Sequence, residues 1–430
     1  MKRKIEAQLL SWKNKEKSRM PLLVNGARQV GKTYILREFG ERNYKNVVYI
    51  NLETNLSAAS YFDDNIAPEK ILRYLETAAN QKIIPGETLL ILDEIQSCER
   101  ALTALKYFCE ETPEYHIAAA GSLLGVAINR QHYSFPVGKV ETLTLYPLDF
   151  EEYLWARDRE LLAEEIHVAF EKMEPLPEAL HREATKLYRE YLIIGGMPAC
   201  INAFLEHGSF LDVPLVQSEI IDNYTADMAK YASNSDSVKI RACYNSVPTQ
   251  LAKDNKKFQY KVVQKGGSAT LFGASIEWLI LAGVVLKCNR INQAVEPIAV
   301  YADLSAFKIY MGDVGLLTMK SGISQQTVLS GEGNTFMGAV TENFVAQQLA
   351  AKNYDLHYWE SNNTAELDFV LQKGSDIVGI EVKKGENVRS RSLSVFTQLY
   401  KPSYNIRLSL KNFGEKDGLK SVPLYATFCV

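Results

Sequence analysis

The chain has 430 residues, 47% hydrophobic and 23% charged, the balance of a folded globular protein of about two to four domains rather than a disordered or fibrous one. Its formal net charge of −3 excludes a global attraction to nucleic acid, so any DNA contact must come from a local basic surface. Six cysteines without a C-x-x-C pair, a charged start at Met1-Lys2-Arg3-Lys4 and the lack of a long apolar run predict reduced thiols, a cytoplasmic location, no zinc site, no signal peptide and no membrane span.

In chain order, residues 3–19 read as a basic amphipathic helix with Ile5, Leu9 and Trp12 on one side. The apolar run Leu22-Leu23-Val24 then breaks into Gly26-Ala27-Arg28-Gln29-Val30-Gly31-Lys32-Thr33, which fits the P-loop pattern G-x-x-x-x-G-K-[ST]. Gly26 and Gly31 let the backbone curl so that the N–H groups of Ala27, Arg28, Gln29 and Val30 point inward at phosphate oxygens. The following helix turns its positive dipole end to the same anion. Lys32 would reach the β- and γ-phosphates of ATP, and the Thr33 hydroxyl would complete the coordination of Mg²⁺.

A strand over 46–52, a helix over 68–80 and a turn at Pro85-Gly86 lead to Thr88-Leu89-Leu90-Ile91-Leu92-Asp93-Glu94. An apolar run ending abruptly in two acids reads as a parallel strand buried on both faces. Asp93 is then placed to hold Mg²⁺ through water and Glu94 to polarise the attacking water; without the upstream P-loop the same pair would read as a solvated turn. A helix over 100–111 precedes the strand 116–120, which ends in Gly121-Ser122. Ser122 reads from the residues as a cap for the next helix. A further strand is predicted within 136–148, and helical periodicity dominates 150–225 with a break at Gly195-Gly196-Met197-Pro198, the natural place for a lid.

From 237 the pattern changes to a helix over 237–252, the basic aromatic stretch Lys253–Lys261, a helix through 276–283 and short strands at 284–287 and 299–301. Three helices and a hairpin resemble a winged helix, whose third helix commonly enters the DNA major groove while lysines meet phosphates. The alternative is a packing module with a solvated lysine face. Farther on, Glu342 lies on a helix over 338–350, Asp368 on a strand over 365–371, and Glu381 and Lys383 on a strand over 376–383. Strand side chains two apart share a face, so Glu381 and Lys383 project together while Ile380 and Val382 enter the core. This is the D…E-x-K arrangement of the PD-(D/E)xK nuclease-like fold, in which Asp368 and Glu381 would hold a divalent metal, Lys383 would position water, and Glu342 matches an additional metal-binding acid. Arg389 and Arg391 would bind phosphate or solvate a helix start.

With G-A-R-Q-V-G-K-T at 26–33, L-D-E at 92–94, A-G-S at 120–122, P-L-D-F-E-E-Y-L at 147–154, Y-L-x-x-G-G-M-P at 191–198, E-N at 342–343, E-L-D-F at 366–369 and E-V-K at 381–383, the chain resembles a family of prokaryotic AAA-superfamily ATPases of largely unassigned role, with a C-terminal domain related to PD-(D/E)xK nucleases. The resemblance implies an α/β fold: an AAA-type parallel P-loop sheet over 1–150, a helical lid over 151–232, a winged-helix segment over 233–304 and a restriction-endonuclease-like α/β domain over 305–430. It places Ser122 at the sensor-1 position, where the hydroxyl would orient the lytic water instead of, or as well as, capping the next helix. It also implies ATP and Mg²⁺ as ligands, DNA as partner, and assembly of several copies, because in such ATPases a neighbour often supplies an arginine finger. Where the family usually has Gly-Arg, this chain has Gly138-Lys139. Lysine is a point charge without the bidentate fork, so the finger would be Lys139 or another residue such as Arg130. The function expected is an ATP-driven switch whose C-terminal domain cleaves or binds DNA; the alternative is a regulatory or defence-related switch with a non-cleaving module.

Overall fold

A computed structural model describes residues 1–15, 19–122, 136–230, 232–331, 334–361, 365–385 and 391–430; Arg130 and Arg389 lie outside the described residues. Residues 2–146 with 281–283 form one compact unit, and 147–280 with 284–430 form the other, which also takes Met1. The boundary near 146 lies close to the expected edge of the ATPase domain. Those expected at 232/233 and 304/305 fall inside the second unit.

In the first unit five strands, β1 (Leu22–Asn25), β2 (Asn46–Asn51), β3 (Thr88–Asp93), β4 (His116–Ala120) and β5 (Glu141–Thr144), form a sheet in the order β2-β3-β4-β1-β5. Every pairing in it is parallel. All residues of β3 and β4 are buried, which is why they read as unbroken apolar runs. The edge strand β5 alternates between half-buried and exposed and is shorter than the sequence suggested. The helices Pro68–Ala79 and Glu99–Glu111 lay Ile71, Leu75, Leu102, Leu105 and Phe108 against Val48, Ile50, Leu90 and Leu92 of the sheet. The Ile5–Lys13 helix buries Ile5, Leu9 and Trp12, the side predicted for it.

The second unit contains the expected helical stretch, as the helices Phe150–Ala156, Glu160–Lys172, Glu178–Ile194, Pro198–His207 and Val213–Lys230. It also contains β6 (Val285–Ile291), β7 (Ala302–Met311), β8 (His357–Ser361), β9 (Ala365–Lys373), β10 (Asp376–Val382), β11 (Asn405–Ser409), β12 (Gly414–Lys416) and β13 (Leu419–Pro423), in one mixed sheet ordered β12-β13-β11-β10-β9-β8-β6-β7. The helices Asn234–Leu251 and Ala269–Leu281 and the antiparallel β6–β7 hairpin arrive where a winged helix was expected. The hairpin, however, continues the C-terminal sheet: β6 pairs in parallel with β8, and β7 runs straight across residue 304. The strand expected at 299–301 is a 3-10 turn, Ile298–Tyr301. Pro297 has no N–H for a ladder, and its carbonyl instead accepts from Val300 N–H at 3.2 Å, closing the chain locally. Among the described residues no helix is long and apolar enough to cross a membrane.

The break at Gly195-Gly196 has a packing cause. Gly196 O accepts from Leu148 N–H at 2.7 Å, its N–H donates to Asp313 Oδ2 at 2.6 Å, and a Cβ on Gly196 would stand 2.1 Å from Leu148 O. Asp313 also caps the Val314–Ser321 helix through Leu316 N–H at 3.0 Å. Three backbone segments thus meet at van der Waals distance, a crossing that excludes a side chain. Burial pushes the Asp313 carboxyl up to about 6, against the pull of the Gly196 and Leu316 N–H groups. Gly196→Ala should therefore lower stability by at least about 2 kcal/mol, read as a drop in the urea midpoint; an unchanged midpoint would refute the close crossing.

Candidate functional site

Parallel pairing brings the C-terminal ends of β1, β3 and β4 to one edge of the first sheet, and the P-loop, Asp93-Glu94 and Ser122 follow directly from those ends. Gly26 has φ 143°, and a Cβ there would lie 2.2 Å from Leu145 O; Gly31, at φ 97°, opens the Lys32–Asn43 helix. Gln29 also sits in the left-handed region, at φ 67°, the kind of local strain that marks working loops. Lys32 is buried, its Nζ donating to the loop's own carbonyls, Gly26 O at 3.0 Å and Ala27 O at 2.7 Å. Arg28 is half-buried and Val30 buried. An ammonium folded back onto a glycine-bounded loop at a helix N-terminus is placed to meet an anion.

Thr33 Oγ1 donates to Asp93 Oδ2 at 2.8 Å, and Tyr49 O–H donates to the same oxygen at 2.8 Å, while Glu94 N–H donates to Asp93 Oδ1 at 3.0 Å. The two oxygen donors expected for Mg²⁺ are therefore adjacent, a set that suits a hard cation drawing its other ligands from phosphate and water. Among the described residues no group of three or more His, Cys, Asp or Glu is placed to hold a metal by itself. Glu94 adopts φ 51° and accepts from Gln96 Nε2. Burial, aided by Asp93, raises its carboxyl above the ordinary range against the pull of Gln96, Lys32 and Arg28. Ser122 is buried just past β4, the strand lying between β1 and β3.

Lys139 does not join this group. The β1–β5 register, Leu22 with Glu141 and Asn25 with Thr144, puts residue 139 before β5, at the sheet edge opposite the P-loop. There its Nζ pairs with Glu110 Oε1 at 2.9 Å. Tyr49 is a site residue that sequence reading missed. It occupies an ordinary strand position, and only the β2–β3 pairing brings its hydroxyl to Asp93.

In the second unit two of the three acids expected to hold metal, Glu342 and Glu381, are paired with cations. Glu342, on the Met337–Ala351 helix, is 2% exposed and accepts from Lys256 Nζ, from Lys308 Nζ at 3.1 Å and from Tyr310 O–H. Burial opposes its ionisation, but Lys256 and Lys308 outweigh burial and hold the carboxyl well below its ordinary range. Lys308, 1% exposed, also pairs with Glu366 at 2.6 Å. Asp368 accepts from Val382 N–H at 2.7 Å, and burial followed by the Glu342 charge pushes its carboxyl upward. Glu381 and Lys383 do share a side, their Oε1 and Nζ 3.0 Å apart, yet Glu381 is itself buried and pairs also with Arg407 Nε at 3.3 Å. With Glu342 and Glu381 each engaged by two cations, Glu342, Asp368 and Glu381 as placed do not fit a divalent metal. The basic stretch differs from expectation likewise: Lys256 engages Glu342 and Lys257 engages Glu360, so these two lysines face carboxylates rather than solvent. Arg391 is exposed at the start of the Arg391–Tyr400 helix. Beside β11 and β13 lies an open cleft of about 1120 Å³ whose charged lining is Lys401, Arg407, Lys411 and Lys416 with Glu415 and Asp417.

Residues 18–154 match a family described as an AAA domain, and residues 185–327 and 337–427 match two families each described as a domain of unknown function, DUF8612 and DUF4143. Two curated relatives, the uncharacterized proteins Rv2008c of Mycobacterium tuberculosis and Mb2031c of Mycobacterium bovis, are each 39% identical over 79 residues, a stretch that is 18% of this chain and 18% of the relative. A solved structure titled as the Walker-type ATPase paby2304 of Pyrococcus abyssi is similar to this chain over 74% of its length and 95% of that chain, at 14% identity and a TM-score of 0.45. Together with the parallel five-stranded sheet and the Gly26–Thr33 loop, the match over residues 18–154 identifies this part of the chain as an AAA-type P-loop ATPase fold.

Proposed function

We propose that this chain is a Mg²⁺-dependent ATPase of the AAA type that works as a nucleotide-driven switch, its second unit binding nucleic acid without cleaving it. The observation that carries the ATPase reading is the Thr33–Asp93 hydrogen bond, flanked by Lys32 on one side and Glu94 on the other. In this reading the P-loop N–H groups take the phosphates, and Lys32 exchanges its two carbonyl partners for phosphate oxygens. Thr33 and Asp93 would hold Mg²⁺, which would supply positive charge beside the phosphates. Glu94 accepts a proton from the attacking water, a task favoured by a raised carboxyl, and Ser122 orients that water. Lys139, at the far edge of the sheet, would serve only the site of another copy, so assembly of several copies and a finger from Lys139 or Arg130 belong to the same reading.

For the second unit, the non-cleaving reading is favoured by the cations already on Glu342 and Glu381. The cleft that carries Lys401, Lys411 and Lys416 beside Glu415 and Asp417 supplies ammonium groups for phosphate backbones. Coexistence of an ATP site and such a surface in one chain motivates the coupling.

Purified protein incubated with plasmid, linear and single-stranded DNA and RNA, with and without ATP and Mg²⁺ or Mn²⁺, should release phosphate and shift nucleic acid in an ATP-dependent way while leaving it intact. Cleavage lost in Lys383→Ala would reinstate the nuclease reading, and no binding under any condition would remove nucleic acid as partner. Lys32→Ala should abolish turnover, and Glu94→Gln should slow it by about 100-fold or more while nucleotide still binds; turnover in Lys32→Ala equal to wild type would sink the ATPase claim. Because the Gln96 amide stabilises the ionised Glu94, Gln96→Leu should raise the Glu94 pKa further. The acid limb of the pH–rate profile should then move to higher pH, and an unmoved limb would take the proton-accepting role away from Glu94.

A further inference from the structure

A second constellation lies in the other unit, on the motif P-L-D-F-E-E-Y-L that the nucleotide site does not use. Glu151, in the first turn of the Phe150–Ala156 helix, is 8% exposed, and its Oε1 lies 2.7 Å from His167 Nε2 on the Glu160–Lys172 helix. The other ring nitrogen, His167 Nδ1, lies 3.5 Å from Cys429 Sγ, at the end of the Leu424–Cys429 3-10 segment. The imidazole packs edge-on against Phe428, with ring centroids 5.2 Å apart. A carboxylate on Nε2 draws the proton to that nitrogen, leaving Nδ1 as an acceptor facing the thiol. This is a nucleophile, a base and an orienting acid in sequence, assembled from three separate elements. The site is open to small molecules: the His167 side chain is 42% exposed and Cys429 is half-buried. Cys98, Cys200, Cys243 and Cys288 are buried, Cys109 is half-buried, and burial pushes all five away from the thiolate form.

We propose that Cys429, His167 and Glu151 form an activated-thiol site that hydroperoxides modify. The Sγ–H proton passes to His167 Nδ1, and Glu151 stabilises the imidazolium. The thiolate then attacks one peroxide oxygen: an S–O bond forms, the O–O bond breaks, and its electron pair leaves on the distal oxygen, which takes the proton from the imidazolium. Sulfur is oxidised by two electrons to the sulfenic acid, and the peroxide is reduced to water or an alcohol.

The test treats the full chain with dilute hydrogen peroxide at neutral pH in the presence of dimedone and follows each cysteine by peptide mass spectrometry. Cys429 should be tagged about ten-fold faster than Cys109, the other half-buried thiol. His167→Gln should bring the Cys429 rate down to that of Cys109 without changing the latter, which reports on intact folding. Glu151→Gln, which keeps a hydrogen-bonding group but removes the charge, should slow Cys429 in part. Tagging of Cys429 no faster than Cys109 in the unmodified protein overturns the proposal, as does a Cys429 rate indifferent to both substitutions.

Discussion

Parallel pairing of β1, β4 and β3 is the constraint on which the nucleotide site depends. It sends three strand ends to one sheet edge, and each end delivers a different chemical part: the phosphate-cradling loop, a small hydroxyl, and an acid pair. The Asp93 carboxylate then ties the parts together by accepting from Thr33, Tyr49 and its own neighbour's N–H. Two fully buried strands hold this geometry, so the loop is positioned by the rigid interior and not by its own length. The same constraint excludes Lys139, because a residue preceding a parallel strand is sent to the opposite edge.

In the second unit the governing fact is that charge is buried and matched. Lys308 and Glu342 are almost wholly enclosed, and removing one member of such a group typically costs about 3–5 kcal/mol because the other is left without compensation. A carboxylate in that condition is a structural anchor: it joins the Met337–Ala351 helix to β7 and to the loop that carries Lys256. The order Asp…Glu-x-Lys is therefore present in the strands, with Glu381 paired to Lys383 and Arg407 while Asp368 accepts from the Val382 N–H. The hairpin before it, read locally as a wing, is continuous with the same sheet because β6 finds β8 as a parallel neighbour.

In the helical stretch, close backbone contact and aromatic packing act together. Gly195-Gly196 crosses Leu148 and the segment around Asp313 so closely that both a Cβ and an unpaired N–H would be intolerable. The adjoining Phe150 packs its ring with Tyr191, Phe344 and Phe428, which brings Glu151 and Cys429 within reach of one imidazole. A buried aromatic contact thus assembles a polar site at its rim.

The sequence by itself determined the features whose requirements are local. Gly26 and Gly31 must reach positive φ, an apolar run buried on both faces must end where Asp93 begins, and alternate residues of a strand must share a side, as Glu381 and Lys383 do. Helix and strand positions follow for the same reason wherever periodicity is strong. Only the tertiary structure decided who meets whom: Tyr49 at Asp93, Lys256 at Glu342 from 86 residues away, and Cys429 at His167 from 262 residues away. The physical reason is that a lone side chain carries no periodic signal of its partner. Long-range pairing is fixed by the register of sheets and the packing of helix faces, and these in turn decide whether an acid meets a metal, a lysine or a thiol's imidazole.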